Sequence, residues 1–180
     1  MATIYTKSGD AGATSLPDGT RVGKDDPRIA LYGALDEANC LIGLARVSVL
    51  DSGLDAALGF IQHRLFNCGA CLPGPTTSPN GPRIGAQDVT ALEAVIDRYS
   101  ARLGSWGFTL PGCDEVSARL HVARAVMRRA EREAVRLNST DTVDPMVLAF
   151  LNRASDLLYV AARYTGNGNE CAWHPDAERP

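Results

Sequence analysis

The chain predicts an all-α fold, a five-helix bundle, and three observations carry that expectation. Five stretches repeat apolar residues at alternating spacings of three and four, the period of a helix with one buried face. Asp, Ser, Pro and Gly stand where those stretches begin and end. No segment alternates apolar and polar residues for long enough to make a convincing strand. At 180 residues, without an internal repeat or a compositional break, the chain suits a single domain over 1–180.

Residues 1–25 carry turn chemistry in place of helical periodicity, so this N-terminal segment is expected to lie outside the bundle. The first helix is expected from Pro27 to about Leu50. Asp26 serves as its N-cap and Pro27 as its first residue. Its seam is Leu31, Leu35, Ala38, Ile42, Ala45 and Val49, with Asp36, Asn39 and Arg46 off it. Ser52 is expected to cap a second helix carrying Leu54, Leu58, Ile61, Leu65 and Cys68, which ends before Pro73. Pro73–Arg83 reads as an irregular connector. A third helix, about Gln87 to Leu103, buries Val89, Leu92, Ile96, Tyr99 and Leu103, and Trp106 to Pro111 is a short apolar extended piece.

The fourth helix, Glu115 to Asn138, organises the rest. Val116, Leu120, Ala123, Met127, Ala130, Ala134 and Leu137 form its seam, and good helix formers fill the remainder. In the last helix Asp144 caps, Pro145 opens, and Val147, Phe150, Ala154, Leu157, Ala161 and Tyr164 face the core until Gly166 stops it. The tail from Asn167 to Pro180 has no periodicity, and it is expected to be flexible or ordered only by a ligand.

Charge excludes several functions. A net charge of −3 and only 6% aromatic residues argue against nucleic-acid binding. No run of about 20 apolar residues offers a membrane span. Five cysteines without framework spacing point to a reducing compartment, with the cytoplasm as the expected location. Cys68 and Cys71 have metal-ligand spacing but no second pair, so buried small residues explain them better, and no metal ligand is assigned. His121 adjoins the seam and reads as a packing histidine, while His63 and His174 have no partner at helical spacing. No nucleophile-elbow serine is present, so a covalent enzyme intermediate is not expected.

What remains is cationic clustering. Arg124, Arg128 and Arg132 stack at i, i+4 and i+8, where unpaired like charges cost roughly 0.2–0.5 kcal/mol per pair. Glu131 relieves only part of this. The row is either a solvated face or a face set against an anion or carboxylates from another helix. The loop Thr6-Lys7-Ser8-Gly9-Asp10-Ala11-Gly12-Ala13-Thr14-Ser15 is either a plain surface loop or a nest of backbone N–H groups for phosphate. Its spacing is not that of a P-loop. Lys7 and Lys24 with Arg128 and Arg132 suit a triphosphate. Asn152 suits a purine or ribose edge, and Phe108 with Trp106 offers an apolar wall.

Seven segments, in order, then resemble a known family. They include Tyr5-Thr6-Lys7-Ser8-Gly9-Asp10-Ala11-Gly12, Lys24-Asp25-Asp26, Tyr32-Gly33-Ala34-Leu35-Asp36-Glu37 and Phe108-Thr109-Leu110-Pro111-Gly112. Leu120 to Arg124, Arg128 to Arg132 and Phe150 to Asp156 complete the set. Over about residues 4–165 the chain resembles the ATP:cob(I)alamin adenosyltransferases of the propanediol-utilisation type.

The resemblance implies a homotrimer with active sites between subunits and, as small-molecule ligands, ATP, Mg²⁺ and cobalamin. The reaction it implies transfers the 5′-deoxyadenosyl group of ATP to the cobalt of cob(I)alamin, giving adenosylcobalamin and triphosphate. A reductase and an adenosylcobalamin-dependent enzyme would be natural partners. Carried over position by position, ATP would meet Thr6, Lys7, Ser8, Gly9, Thr14, Ser15, Lys24, Asn152 and the segment Arg128, Arg129, Ala130, Glu131 and Arg132. Asp36 and Arg124 would pair across the subunit interface, and Phe108 would crowd the lower axial face of the corrinoid. Ser8 stands where the family commonly has threonine, and Cys113 where it often has glycine or serine. The alternatives are a cobalamin- or nucleotide-binding bundle without turnover and a purely structural oligomer.

Overall fold

The computed structural model describes residues 4–72, 81–104, 107–167 and 169–177. Most of the connector expected at Pro73–Arg83, and Trp106, lie outside the described residues. Five helices account for the bulk of the chain: α1 (Pro27–Arg46), α2 (Ser52–Ala70), α3 (Ala86–Ser100), α4 (Glu115–Leu137) and α5 (Pro145–Thr165). Two short strands precede them, β1 (Ala13–Ser15) and β2 (Arg21–Gly23), paired antiparallel with Thr14 opposite Val22.

The ribbon corrects the expectation of no strand. Three residues per strand are too few for a period to register. Its turn is held by the Asp18 carboxylate, which accepts from the Thr20 N–H at 2.9 Å, and by Gly19 at φ +87°, a left-handed value that favours glycine. Leu16 is its buried anchor.

α4 lies between α1 and α5, with α2 flanking α1 and α3 flanking α5. Alanines make this close packing possible: Ala38 and Ala45 of α1, Ala123, Ala130 and Ala134 of α4, and Ala154 and Ala161 of α5 are all inaccessible to solvent. Larger side chains, among them Met127, Phe150, Leu31 and Ile42, fill the spaces between these contacts. On α4 the expected seam from Leu120 to Leu137 is buried residue for residue, with Val116 only partly so.

Several boundaries move. α1 stops at Arg46, not Leu50, because Ser48 and Val49 turn back to the Ala45 and Arg46 carbonyls. Val49 keeps its inward side chain without the helical backbone, so periodicity overran the helix. The cap of α2 is Asp51, one residue before Ser52: its carboxylate accepts from the Leu54 N–H at 2.8 Å. The same carboxylate accepts from the Tyr99 hydroxyl at 2.8 Å and the Tyr164 hydroxyl at 3.0 Å, tying α2, α3 and α5 together at one end. The Leu54 N–H and then the Tyr99 hydroxyl hold its pKa below the usual carboxylate range, and burial pushes Tyr99 up to about 12.

α3 starts at Ala86 and ends at Ser100, three residues before the expected Leu103, as the chain tightens into turns at Ala101–Leu103. Gly166 closes α5 at φ −66°, so it stops the helix without a left-handed cap. Asn39, expected off the seam, is buried and exchanges hydrogen bonds with Gln62.

The described part of the tail is tied back to the chain: the Leu110 N–H donates to the Cys171 carbonyl, and the Trp173 N–H to the Phe108 carbonyl, both at 2.8 Å. No described helix is long and apolar enough to cross a membrane, and the five cysteines are all unbridged.

Candidate functional site

The ribbon assembles the first cationic cluster. Lys7 takes a left-handed backbone at φ +58°, turning the chain so that the Asp10 N–H reaches back toward the Lys7 carbonyl. Gly9 is favoured by close approach. A Cβ there would sit 3.3 Å from the Ala13 carbonyl oxygen and 3.4 Å from the Lys24 ammonium. Lys24, which follows β2, is therefore folded over the Lys7-Ser8-Gly9 turn, and its own N–H donates to Gly12. Arg21, which sequence reasoning missed, braces the turn: Nη2 donates to the Ser8 carbonyl at 2.8 Å and Nη1 to the Ser15 hydroxyl at 3.4 Å. Thr6 and Ser8 share a hydroxyl hydrogen bond of 2.8 Å, and Thr14 lies within the ribbon opposite Val22. The Lys7, Lys24 and Arg21 side chains stand exposed around this turn, a compact electropositive surface.

α4 supplies the second cluster. Of the segment Arg128–Arg132, Ala130 is completely buried, because a helix turns every fourth position inward. The carried-over ligand role therefore does not extend to its side chain. Arg129 is engaged by the Glu37 carboxylate of α1. Arg128 has only Glu131, at 4.0 Å, and Arg132 makes no hydrogen bond or ion pair among the described residues. The carboxylate that α1 brings to α4 thus takes Arg129, which is outside the row of Arg124, Arg128 and Arg132, and leaves Arg128 and Arg132 open. Asn152 on α5 is already occupied: its Nδ2 donates to Glu131 at 2.9 Å, and its Oδ1 accepts from Arg153 at 2.6 Å. A ligand edge at Asn152 would have to displace one of these. Asp156, one turn on, feels both Arg128 and Glu131, and burial raises its pKa.

Asp36 is exposed and makes no ion pair or hydrogen bond among the described residues. It lines a cavity of about 580 Å³ between Pro17 of the ribbon turn, Tyr32 and Leu35 of α1, and Phe66 and Gly69 of α2. Arg124 turns to its own helix, where Nε donates to His121 Nδ1 at 3.4 Å. Within one chain the expected pairing of Asp36 with Arg124 does not form. The ribbon and the α4 arginines likewise share no hydrogen bond or ion pair among the described residues.

His121 is buried, with Tyr159 edge-on at 6.1 Å, as its packing role predicts. Its Nδ1 accepts from Arg124, which places the proton of the neutral ring on Nε2. Burial, and then the Arg124 charge, lower its pKa below the ordinary 6.5. A group whose folded pKa is depressed contributes stability above its unfolded value and loses it as pH falls through the folded one. Denaturant midpoints should therefore fall as pH drops below about 6.5, more steeply for the wild type than for His121→Asn, which keeps an acceptor but cannot titrate. Parallel pH profiles of the two proteins would contradict this.

A third feature is aromatic. Phe108 is 81% exposed and Trp173 53% exposed, and their rings meet edge to face at 6.2 Å. With Thr109 and Leu110 they wall a groove of about 340 Å³. Exposed aromatic area of this kind asks for a flat apolar partner. Sequence reasoning found Phe108 and missed Trp173, since nothing local connects residue 173 to residue 108.

Comparison with known proteins agrees with the resemblance. The family model for cobalamin adenosyltransferase matches residues 4–165. The chain is 42% identical over 163 residues to the corrinoid adenosyltransferase PduO of Salmonella typhimurium, covering 89% of this chain and 48% of that protein, so it spans about half of that relative's length. It is 39% identical over 186 residues to the corrinoid adenosyltransferase of Mycobacterium bovis, covering 99% of this chain and 96% of that one. Its fold superposes with a TM-score of 0.88, at 34% identity, on a phenylalanine-to-histidine variant of a PduO-type ATP:corrinoid adenosyltransferase from Lactobacillus reuteri complexed with cobalamin and ATP. That match covers 96% of this chain and 97% of the other. Ordered motifs, family match and fold agree from the ribbon to the end of α5: this chain belongs to the cobalamin adenosyltransferase family.

Proposed function

We infer that the chain is an ATP:corrinoid adenosyltransferase, transferring the 5′-deoxyadenosyl group of ATP to the cobalt of cob(I)alamin. The observation that carries this reading is that cationic groups are left open on two surfaces, the Lys7–Lys24 turn and the Arg128–Arg132 face, of a chain that also exposes an aromatic wall at Phe108 and Trp173. Cob(I)alamin is itself the nucleophile. Its electron pair forms the Co–C5′ bond as the C5′–O bond breaks, and triphosphate leaves with those electrons. The protein needs no general base and no covalent intermediate. Lys7, Lys24 and Arg128 hold the departing triphosphate, and Phe108 lies against the lower axial face of the corrinoid.

Among the described residues no group of three or more His, Cys, Asp or Glu is arranged to hold a metal ion. The donor set does not make a protein cage for Mg²⁺, which is better suited to ride on the triphosphate oxygens.

The site is completed between chains. Asp36 without a partner among the described residues, and a ribbon that among them shares no polar contact with α4 of its own chain, suit a homotrimer in which one protomer's ribbon faces its neighbour's arginines. Mixing the chain with chemically reduced cobalamin, ATP and Mg²⁺ should give the absorption spectrum of adenosylcobalamin, and failure of an intact oligomer to do so would refute the assignment. Lys7→Ala and Arg128→Ala, each inactive alone, should regain about a quarter of wild-type activity when unfolded and refolded together, because one in four random interfaces combines both intact residues. No recovery on mixing would place each site within a single chain.

A further inference from the structure

Two residues one turn apart on α5, Tyr159 and Arg163, each hold one strand of the small antiparallel bridge that carries Phe108. The Tyr159 hydroxyl donates to the Gly107 carbonyl oxygen at 3.2 Å. Arg163 Nε donates to both oxygens of Glu170, at 2.8 and 3.0 Å, and Nη2 donates to Oε2 at 2.9 Å. Between these ties lie the two backbone bonds of the bridge, Leu110 to Cys171 and Trp173 to Phe108. The resulting register sets Trp173 edge-on to Phe108.

The Arg163 side chain is 4% exposed and the Glu170 side chain 15%. A desolvated ion pair roughly breaks even against apolar residues of similar size, so added stability is a poor explanation for it. What a two-pronged guanidinium–carboxylate contact provides is direction, since both groups are planar and their hydrogen bonds are geometrically strict. It fixes the chain three residues before Trp173. Without it, what ties the segment to the rest among the described residues is the two backbone bonds of the bridge, the Asn169 N–H to the Gly166 carbonyl at 2.9 Å, and the contact of two exposed rings.

We propose that Arg163 and Glu170 are positioning residues that hold Trp173 against Phe108, so that two aromatic rings meet the corrinoid as one wall. The inference rests on the adenosyltransferase reading and adds to it a reason for the C-terminal segment. Among the described residues no hydrogen bond or ion pair joins Glu170 to the Lys7–Lys24 turn or to Arg128, and the pair is expected to act on the corrinoid step and to leave ATP binding alone.

The test uses the full chain with Glu170→Gln, which keeps the shape and removes the charge, and Trp173→Leu, which keeps the pair and removes the ring. In Glu170→Gln the Leu110 and Trp173 amides should exchange hydrogen about tenfold faster while the helices exchange as before. Both variants should lose about tenfold in kcat/KM for the corrinoid with KM for ATP within about twofold, as expected for a displaced positioning group. The double variant should be no worse than the weaker single one, and Glu170→Asp should restore part of the loss. Unchanged amide exchange overturns the proposal, as do unchanged corrinoid kinetics, an equal loss of ATP affinity or additive losses. If Glu170→Gln does not fold, normal corrinoid kinetics in Trp173→Leu overturn it. A wild-type protein that forms no adenosylcobalamin refutes the enzymatic reading itself, whereas an active wild type with an indifferent Glu170→Gln refutes only the positioning role.

Discussion

Arg128→Ala should lower adenosylcobalamin formation by more than tenfold, and on the order of 10² if Arg128 meets charge that develops as triphosphate leaves. The side chain is well placed to show this cleanly. It is half exposed, and its one ion-pair partner among the described residues is Glu131 at 4.0 Å, so its removal opens no cavity and strands no buried charge. Thermal stability should stay close to wild type while kcat falls. Arg128→Lys should lie between, because a lysine keeps the charge but not the planar fork that grips two phosphate oxygens. Near-normal turnover in Arg128→Ala would remove the α4 face from the site and return the arginine row to the reading of a solvated surface.

Phe108→Ala should have the second largest effect, and its size should depend on how the cobalt is supplied. The ring is 81% exposed, so its loss costs the fold little. If it crowds out the lower axial ligand, it makes the step from Co(II) to Co(I) easier, since axial ligation is a main control of metal potential. Starting from cob(II)alamin and a weak reductant, Phe108→Ala should lose tenfold or more, about 1.4 kcal/mol in the barrier. Starting from chemically reduced cob(I)alamin, the loss should be several times smaller. Equal losses in the two assays would mean that Phe108 only binds the macrocycle.

Both substitutions touch residues that stood out before any coordinates, and the reason is the same. Arg128 belongs to a row visible at helical spacing, and Phe108 sits in a short segment with a distinctive order of residues. The α4 seam was equally legible because burial on a helix repeats every three or four positions, and Leu120, Ala123, Met127, Ala130, Ala134 and Leu137 follow that rule. Helix starts were legible where a capping side chain acts within three residues, as Asp26 and Asp144 do. At α2 local chemistry pointed to Ser52, one residue past the true cap. Asp51 is the cap whose carboxylate also takes the hydroxyls of Tyr99 and Tyr164, from helices far along the chain.

By itself, then, the sequence determined which five stretches become helices, which of their faces turn inward, and which ordered motifs mark the family. All of these are local patterns that a period or a short spacing encodes. The tertiary structure alone decided that Arg21 braces the Lys7–Gly9 turn, that Glu37 takes Arg129 and leaves Arg128 open, and that Arg163 and Glu170 bring Trp173 to Phe108. Each of these joins groups on different elements, and a hydrogen bond or ion pair across such a gap depends on how whole helices pack, which no local pattern records.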